Sequence, residues 1–142
     1  MANAEKTFSI IKPDAMAAGQ AGKVISLLED TGFRILAIKM VRLTRSQAEG
    51  FYAVHRERPF FASLVKFMTE GPVIVMALER EDAVKKLRDV MGATNPANAA
   101  EGTIRKLYAQ SIERNVIHGS DAPETAEQEL RFFFSTIELE QL

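Results

Sequence analysis

His118 is the residue of this 142-residue chain whose chemistry is most specific. It lies in the segment Asn115–Asp121, where a short apolar run ends in a polar turn. A neutral imidazole in the correct tautomer can accept a phosphoryl group when it is held in line with the incoming phosphate. Gly119 follows it and leaves room for a ligand to approach closely. A lone turn histidine more often has no such role, so the interpretation depends on other residues.

Glu129 is a candidate partner for that histidine. On the predicted last helix it lies three residues from Ala126 and four from Phe133, at the flank of the buried face. A buried carboxylate without a partner is costly, so this one should be paired. A hydrogen bond from one ring nitrogen of His118 would fix the tautomer and leave the other nitrogen free. A salt bridge to a nearby arginine would satisfy the carboxylate as well, and both alternatives stay open.

Five side chains could donate hydrogen bonds to a di- or triphosphate: Lys12, Arg88, Thr94, Arg105 and Asn115. Lys12 follows the first predicted strand, Arg88 borders the apolar stripe of a helix, and Arg105 follows a long loop. Their N–H and O–H groups suit phosphate oxygens. Each one alone is more often a solvated surface group. They make a site only if the fold brings them together.

The composition predicts one globular domain over residues 1–142, with 46 % hydrophobic and 26 % charged residues. A net charge of −1 gives no reason to expect nucleic acid or a membrane as a partner. The chain has no cysteine and only two histidines, so thiol chemistry is excluded and a multi-histidine metal site is not expected. Residues 1–6 form no apolar signal core, and the cytoplasm is the expected location.

The elements that must position these residues can be predicted from hydrophobic spacing. Strands are expected at residues 7–11, 33–43, 73–78 and within 115–121. Helices are expected around residues 24–28, 47–52, 59–68, 82–91 and 103–109, and from Pro123 onward. This order suits an α+β sandwich with helices on a mainly antiparallel sheet. The third strand is apolar on both faces, so further helices or another subunit must cover the second face.

Single residues predict where two of these helices begin. Pro59 suits the first position of a helix with Phe60 on the flank of its apolar stripe, which comprises Phe61, Leu64, Val65 and Met68. Asp82 suits the N-cap of the next helix, which Gly92 ends. The long loop from Gly92 to Gly102 is more often functional than idle in so small a domain.

Taken together, these residues resemble the nucleoside diphosphate kinase family, from about Thr7 to Phe134. The most specific segment is Asn115-Val116-Ile117-His118-Gly119-Ser120-Asp121. Further blocks match the family in order and spacing: Lys12-Pro13-Asp14, Tyr52, Arg58-Pro59-Phe60-Phe61, Gly71-Pro72-Val73, Gly92-Ala93-Thr94-Asn95-Pro96 and Gly102-Thr103-Ile104-Arg105. Several blocks in register are stronger evidence than any one motif.

The resemblance implies a ferredoxin-like sandwich with a four-stranded antiparallel sheet. It also implies a homo-oligomer, a tetramer or hexamer built from dimers. The implied activity is ping-pong transfer of the γ-phosphate from a nucleoside triphosphate, typically ATP, to nucleoside diphosphates through phospho-His118. Mg²⁺ would be carried on the nucleotide phosphates, without a cage of protein ligands.

The resemblance also implies roles for individual residues. His118 would be the nucleophile through Nδ1, with Glu129 and Ser120 orienting it and Tyr52 lining the pocket beside it. Lys12 and Asn115 would bind the sugar hydroxyls, and Lys12 also the transferred phosphate. The phosphates would be held by Arg88, Thr94 and Arg105. The base would stack on Phe60, near Leu64 and Ile112, a contact that reads no base edge and so permits broad base tolerance.

The chain departs from the family pattern at three positions. Val54 stands where members of the family often have an acidic residue. Leu107, two positions after Arg105, also stands where an acidic residue is usual, and Ala18 stands where many members have a basic residue. We expect these changes to alter a contact near the site, the packing of the long loop, and stability or assembly. None of them removes a group that the transfer needs.

Three other functions fit these residues less well. An inactive nucleotide-binding module of the same fold is disfavoured because every residue of the transfer machinery is present. A regulatory ferredoxin-like domain that binds a small ligand between subunits would leave Arg88, Arg105 and His118 without a shared task. Binding of nucleic acid is weaker still, given the charge balance and the lack of a basic stripe.

Overall fold

A four-stranded antiparallel sheet forms the centre of the computed structural model, which describes residues 4–140. Its strands are β1 (Ala4–Ile11), β2 (Arg34–Val41), β3 (Val73–Glu81) and β4 (Ile117–Gly119). They lie in the order β2-β3-β1-β4, and every neighbouring pair is antiparallel. The predicted ferredoxin-like α+β architecture is therefore confirmed. The expectations for residues 1–3 and 141–142 lie outside the described residues.

Eight α-helices pack around this sheet in the described part of the chain. They are α1 (Pro13–Ala17), α2 (Ala21–Asp30), α3 (Arg45–Phe51), α4 (Phe61–Met68), α5 (Ala83–Met91), α6 (Ile104–Tyr108), α7 (Pro123–Phe133) and α8 (Thr136–Glu140). Helix α8 lies in the C-terminal tail, where no element was predicted. None of the helices between residues 4 and 140 has the length and apolar content needed to cross a membrane.

Strand β3 is buried on both faces because the chain builds a hydrophobic core on each side of the sheet. Its side chains alternate: Val73, Val75 and Ala77 belong to one core, and Ile74, Met76 and Leu78 to the other. Helices α3, α4 and α7 complete the first core, and α2, α5 and α6 complete the second. The sequence predicted that either further helices or another subunit would cover the second face of this strand. The structure shows that the chain's own helices cover it.

The predicted start of α4 at Pro59 is wrong. The helix begins at Phe61, with Phe60 as its N-cap, and Pro59 lies in the preceding turn. That turn is closed by the Phe61 N–H, which donates to the Arg58 carbonyl at 3.1 Å, so helical bonding starts later. The stripe also differs, because Phe67 is buried whereas Phe61 and Leu64 are only partly buried.

The predicted capping of α5 by the Asp82 side chain is also wrong. Asp82 has a left-handed backbone with φ of 52°, and its carboxylate accepts no capping hydrogen bond. Instead Oε1 of Glu5 accepts a hydrogen bond from the Val84 N–H at 2.8 Å. Strand β1 runs beside β3, so it brings Glu5 to the free N–H groups at the start of α5. Gly92 ends this helix as predicted.

Candidate active site

A tight turn at Val116 places the candidate histidine. The Ile117 N–H donates to the Asn115 carbonyl at 2.9 Å, which closes a three-residue γ-turn. Val116 at its centre has φ of 78°, a left-handed conformation that β-branched residues rarely adopt. Strand β4 then pairs with β1, and His118 lies opposite Ile10. No sequence pattern predicted this turn, because valine by itself favours extended backbone.

A carboxylate on α7 fixes the orientation of the His118 ring. Oε1 of Glu129 lies 2.8 Å from Nε2 of His118, and Oγ of Ser120 donates to the same oxygen at 2.8 Å. Because an ionised carboxylate only accepts hydrogen bonds, the ring proton belongs on Nε2. Nδ1 then keeps its lone pair and forms no hydrogen bond with the described residues. Glu129 forms the histidine contact, and within residues 4–140 no arginine is paired with it.

Aromatic side chains surround the histidine on the core side. The Tyr52 ring is perpendicular to the imidazole at 6.4 Å between centroids, and the rings of Phe51 and Phe8 lie at 5.6 Å and 6.1 Å. The Tyr52 hydroxyl is buried and has no partner among the described residues. Burial, together with the Glu129 carboxylate, raises the pKa of Tyr52, so its hydroxyl stays a donor at neutral pH. The two phenylalanines were not predicted as site residues because ordinary core positions look the same in sequence.

Lys12 and Asn115 meet although they are far apart in sequence. Nζ of Lys12 donates to Oδ1 of Asn115 at 2.8 Å, and both side chains are buried. Burial lowers the pKa of Lys12 to about 8, and the nearby Arg105 cation acts in the same direction. Asp14 opposes that shift. A buried amine with so little compensating charge is suited to receive an anion.

Arg105 is buried and connects two backbone segments, the start of the long loop and the γ-turn, through three carbonyl groups. Its Nε, NH1 and NH2 donate to the carbonyls of Asn115 at 3.2 Å, Gly92 at 3.1 Å and Ile117 at 2.8 Å. A guanidinium has five N–H donors, so two remain for a ligand. Burial lowers the pKa of Arg105 to about 10, and nearby Arg88 contributes. The resemblance implied only a phosphate contact for Arg105, and its connection between the long loop and the γ-turn was not predicted.

Arg88 and Thr94 line an open cleft of about 460 Å³ beside the loop that begins at Gly92. The guanidinium of Arg88 is paired with the Asp121 carboxylate at 2.9 Å, and both side chains are exposed. Asp121 belongs to the motif around His118, but its ion pair was not predicted. The fold therefore brings Arg88 to the same end of the molecule as the buried Arg105.

Phe60 stands outside the ring cluster around His118. Its side chain is 47 % exposed at the start of α4, and its ring partner among the described residues is His55, at 5.4 Å between centroids. Leu64 is partly buried against the core, whereas Ile112 is exposed. An exposed phenyl ring offers a surface on which a planar ligand can stack.

The prediction that Gly119 makes room for a ligand is wrong. A Cβ atom at this position would lie 2.6 Å from Sδ of Met91 and 2.9 Å from Cδ2 of Leu87. These side chains belong to α5, which packs against β4 at this point. The glycine is therefore required by the close approach of a helix.

No cluster of three or more His, Asp or Glu side chains suited to holding a metal ion occurs between residues 4 and 140.

Comparison with known proteins places the chain in a family. The sequence model of the family described as "Nucleoside diphosphate kinase" matches residues 5–139. The chain belongs to the nucleoside diphosphate kinase family. The nucleoside diphosphate kinase of Nitratidesulfovibrio vulgaris is 58 % identical over 135 residues, which are 95 % of this chain and 97 % of that protein. The enzyme of the same name from Rhizobium meliloti is also 58 % identical, with 95 % and 96 % covered.

Solved nucleoside diphosphate kinases have the same fold. The Aquifex aeolicus enzyme superposes with a TM-score of 0.93 at 46 % identity, covering 95 % of this chain and 98 % of its own. The Halobacterium salinarum enzyme, solved in complex with CDP, gives 0.90 at 40 % identity, covering 94 % and 90 %. This chain is therefore an enzyme, a nucleotide-binding kinase that transfers phosphate.

The three departures from the family pattern all lie at the surface. Val54 is 84 % exposed, Leu107 is 52 % exposed, and Ala18 is exposed as well. None of these side chains takes part in the buried contacts around His118. Their effect on stability or assembly stays a prediction.

Proposed function

We propose that the chain transfers the γ-phosphate of a nucleoside triphosphate, typically ATP, to nucleoside diphosphates through a phosphohistidine on His118. The observation that carries the proposal is the bond from Nε2 to Glu129, which leaves the lone pair of Nδ1 free. Nδ1 attacks the γ-phosphorus, the bond to the β,γ-bridging oxygen breaks, and the nucleoside diphosphate leaves. A terminal β-phosphate oxygen of the second diphosphate then attacks phosphohistidine, the P–N bond breaks, and His118 is regenerated.

The groups around the ring support this chemistry. Glu129 stabilises the imidazole as positive charge develops during attack, and Ser120 holds the carboxylate in place. Tyr52 contributes a protonated hydroxyl that has no partner in the described structure, so it can donate to the transferring phosphate.

We assign the nucleotide contacts to the polar residues already described. Lys12 and Asn115 bind the sugar hydroxyls, and Lys12 also contacts the transferred phosphate. Arg88, Thr94 and Arg105 bind the phosphates. Mg²⁺ enters as part of the substrate, because phosphate oxygens and water supply most of its ligands in such sites. Phosphoryl transfer needs chiefly positioning and neutralisation of charge, which these cations supply.

The base stacks on Phe60, with Leu64 and Ile112 nearby. Stacking on a phenyl ring involves only the face of the base, so both purines and pyrimidines are accepted. The complex of the Halobacterium salinarum enzyme with CDP is in keeping with this tolerance.

We propose that the chain, a single domain over residues 1–142, acts in the cytoplasm as a homo-oligomer built from dimers. Support for self-association comes from β2, which is an edge strand of the sheet with Ile38 and Met40 exposed. An exposed apolar edge strand favours pairing with another chain. We expect a tetramer or hexamer, which analytical ultracentrifugation would distinguish from a monomer.

The test is a phosphoenzyme measurement with a matched histidine control. Wild type, His118→Ala and His55→Ala are incubated with γ-labelled ATP and Mg²⁺, then chased with GDP or CDP. We expect acid-labile label on wild type and His55→Ala, absence of label on His118→Ala, and discharge as GTP or CTP. Folded wild type that binds nucleotide but takes up no label would instead indicate an inactive binding module.

A further inference from the structure

We propose that Asp14 is a positioning residue, whose carboxylate holds the γ-turn at Val116 in the shape that orients Asn115 and His118. The inference rests on the proposed function, because it concerns how the phosphate acceptor is aimed. Asp14 itself does not touch the imidazole. Its effect on transfer passes through the backbone of Val116.

The carboxylate is one half of a clamp on Val116. Oδ2 of Asp14 accepts a hydrogen bond from the Val116 N–H at 3.0 Å. The Lys12 N–H donates to the Val116 carbonyl at 2.8 Å. Both polar groups of the strained residue are therefore bound by one short segment at the end of β1. The turn is flanked by Asn115 and Ile117. Oδ1 of Asn115 accepts a hydrogen bond from the Lys12 amine, and Ile117 begins the strand that carries His118.

The strain explains why a clamp is needed. Valine at φ of 78° is unfavourable, and such conformations persist only where surrounding contacts over-determine them. If the Asp14 contact is lost, the turn relaxes toward extended backbone, and the residues on both sides of it rotate. Asn115 and His118 would then no longer face the nucleotide together.

The hydrogen bonding of Asp14 indicates that its side chain acts mainly on the γ-turn. The side chain is buried, and the bond to Val116 is its only hydrogen bond within residues 4–140. Oδ1 is buried and has no partner there. Burying a carboxylate with so few hydrogen bonds is costly. Its negative charge also offsets that of Lys12, so a test must separate the hydrogen bond from the charge.

A double-mutant cycle with Val116→Gly makes this separation, because glycine adopts positive φ without strain. The measured quantity is the single-turnover rate of His118 phosphorylation at saturating MgATP, well below the melting temperature of each variant. Asp14→Ala should lower this rate about tenfold to hundredfold in the Val116 background. In the Val116→Gly background the same change should cost less than about threefold. Asp14→Asn, which keeps an acceptor oxygen but not the charge, should restore most of the rate.

Thr7→Val serves as a matched control. Thr7 is a buried polar residue of β1 whose hydroxyl also lacks a partner among the described residues. Its replacement should leave the phosphorylation rate unchanged. An equal loss for Asp14→Ala in both backgrounds, or a wild-type rate in Asp14→Ala, would overturn the inference.

A crystal structure of Asp14→Ala separates this inference from the proposed function. We expect the φ angle of Val116 to leave the left-handed region. A φ angle that stays positive in Asp14→Ala would overturn the role of Asp14. Absence of phosphorylation in wild type would overturn the proposed function alone, since the backbone angle is measured without nucleotide.

Discussion

Oε1 of Glu129 lies 2.8 Å from Nε2 of His118, and the two residues are joined across the gap between β4 and α7. The same oxygen accepts a hydrogen bond from the Ser120 hydroxyl, so one carboxylate atom binds both the His118 ring and the Ser120 side chain. This relationship decides which ring nitrogen is available for chemistry.

Glu129→Gln should slow phosphorylation of His118 by about tenfold to hundredfold, because the amide keeps an acceptor but loses the charge that stabilises the reacting imidazole. Ser120→Ala should have a smaller effect, about tenfold or less, since the carboxylate remains. Rapid-quench measurements with labelled ATP give both rates. A larger loss for Ser120→Ala than for Glu129→Gln would show that the hydroxyl, and not the carboxylate charge, dominates.

Asp121→Asn should strengthen the binding of nucleoside diphosphate up to about fivefold. The Asp121 carboxylate forms an ion pair with the Arg88 guanidinium at 2.9 Å, and a phosphate must compete with this carboxylate for Arg88. The effect is small because exposed ion pairs contribute about 1 kcal/mol or less. Titration calorimetry with ADP measures the change, and in an Arg88→Ala background it should vanish. Weaker binding by Asp121→Asn would mean that the carboxylate orients Arg88 for the ligand.

The kcat/KM for MgATP should fall as pH rises through about 8, because burial lowers the pKa of Lys12 to about 8 and the neutral amine attracts phosphate poorly. In Lys12→Gln it should be lower and flat across this range. The free energy of unfolding changes with pH in the opposite direction. The unfolded amine, with a pKa of 10.5, binds more protons than the folded one between about pH 8 and 10.5, so Lys12 makes stability rise with pH there. A wild-type kcat/KM that is flat to pH 10 would contradict the assignment.

Gly119→Ala should destabilise the protein by about 1–3 kcal/mol, because the new methyl group would overlap Met91 and Leu87 of α5. Gly22→Ala is the matched control, since a Cβ atom there meets nothing within 4 Å on helix α2. That change should stabilise the protein by about 0.5–1 kcal/mol. Urea unfolding measures both. Equal stability of the two variants would mean that α5 moves away from β4 without cost.

The order of the elements and the residue types of the site could be predicted from the sequence alone. Continuous or alternating apolar residues in β1, β2 and β3 reflect which faces are buried, and this pattern depends only on neighbours along the chain. Local signals were less reliable at helix starts. Pro59 lies in a turn and Asp82 is not a side-chain cap, because a turn and a glutamate from β1 satisfy those backbone groups instead.

Contacts between the site residues depend on the tertiary fold and could not be predicted from local sequence. Lys12 and Asn115 are separated by 103 positions, and Asp14 and Val116 by 102, yet each pair shares a hydrogen bond because β1 lies beside β4. Nothing in the local sequence encodes that adjacency. The left-handed backbone of Val116 goes against its intrinsic preference and exists because contacts distant in sequence outweigh it.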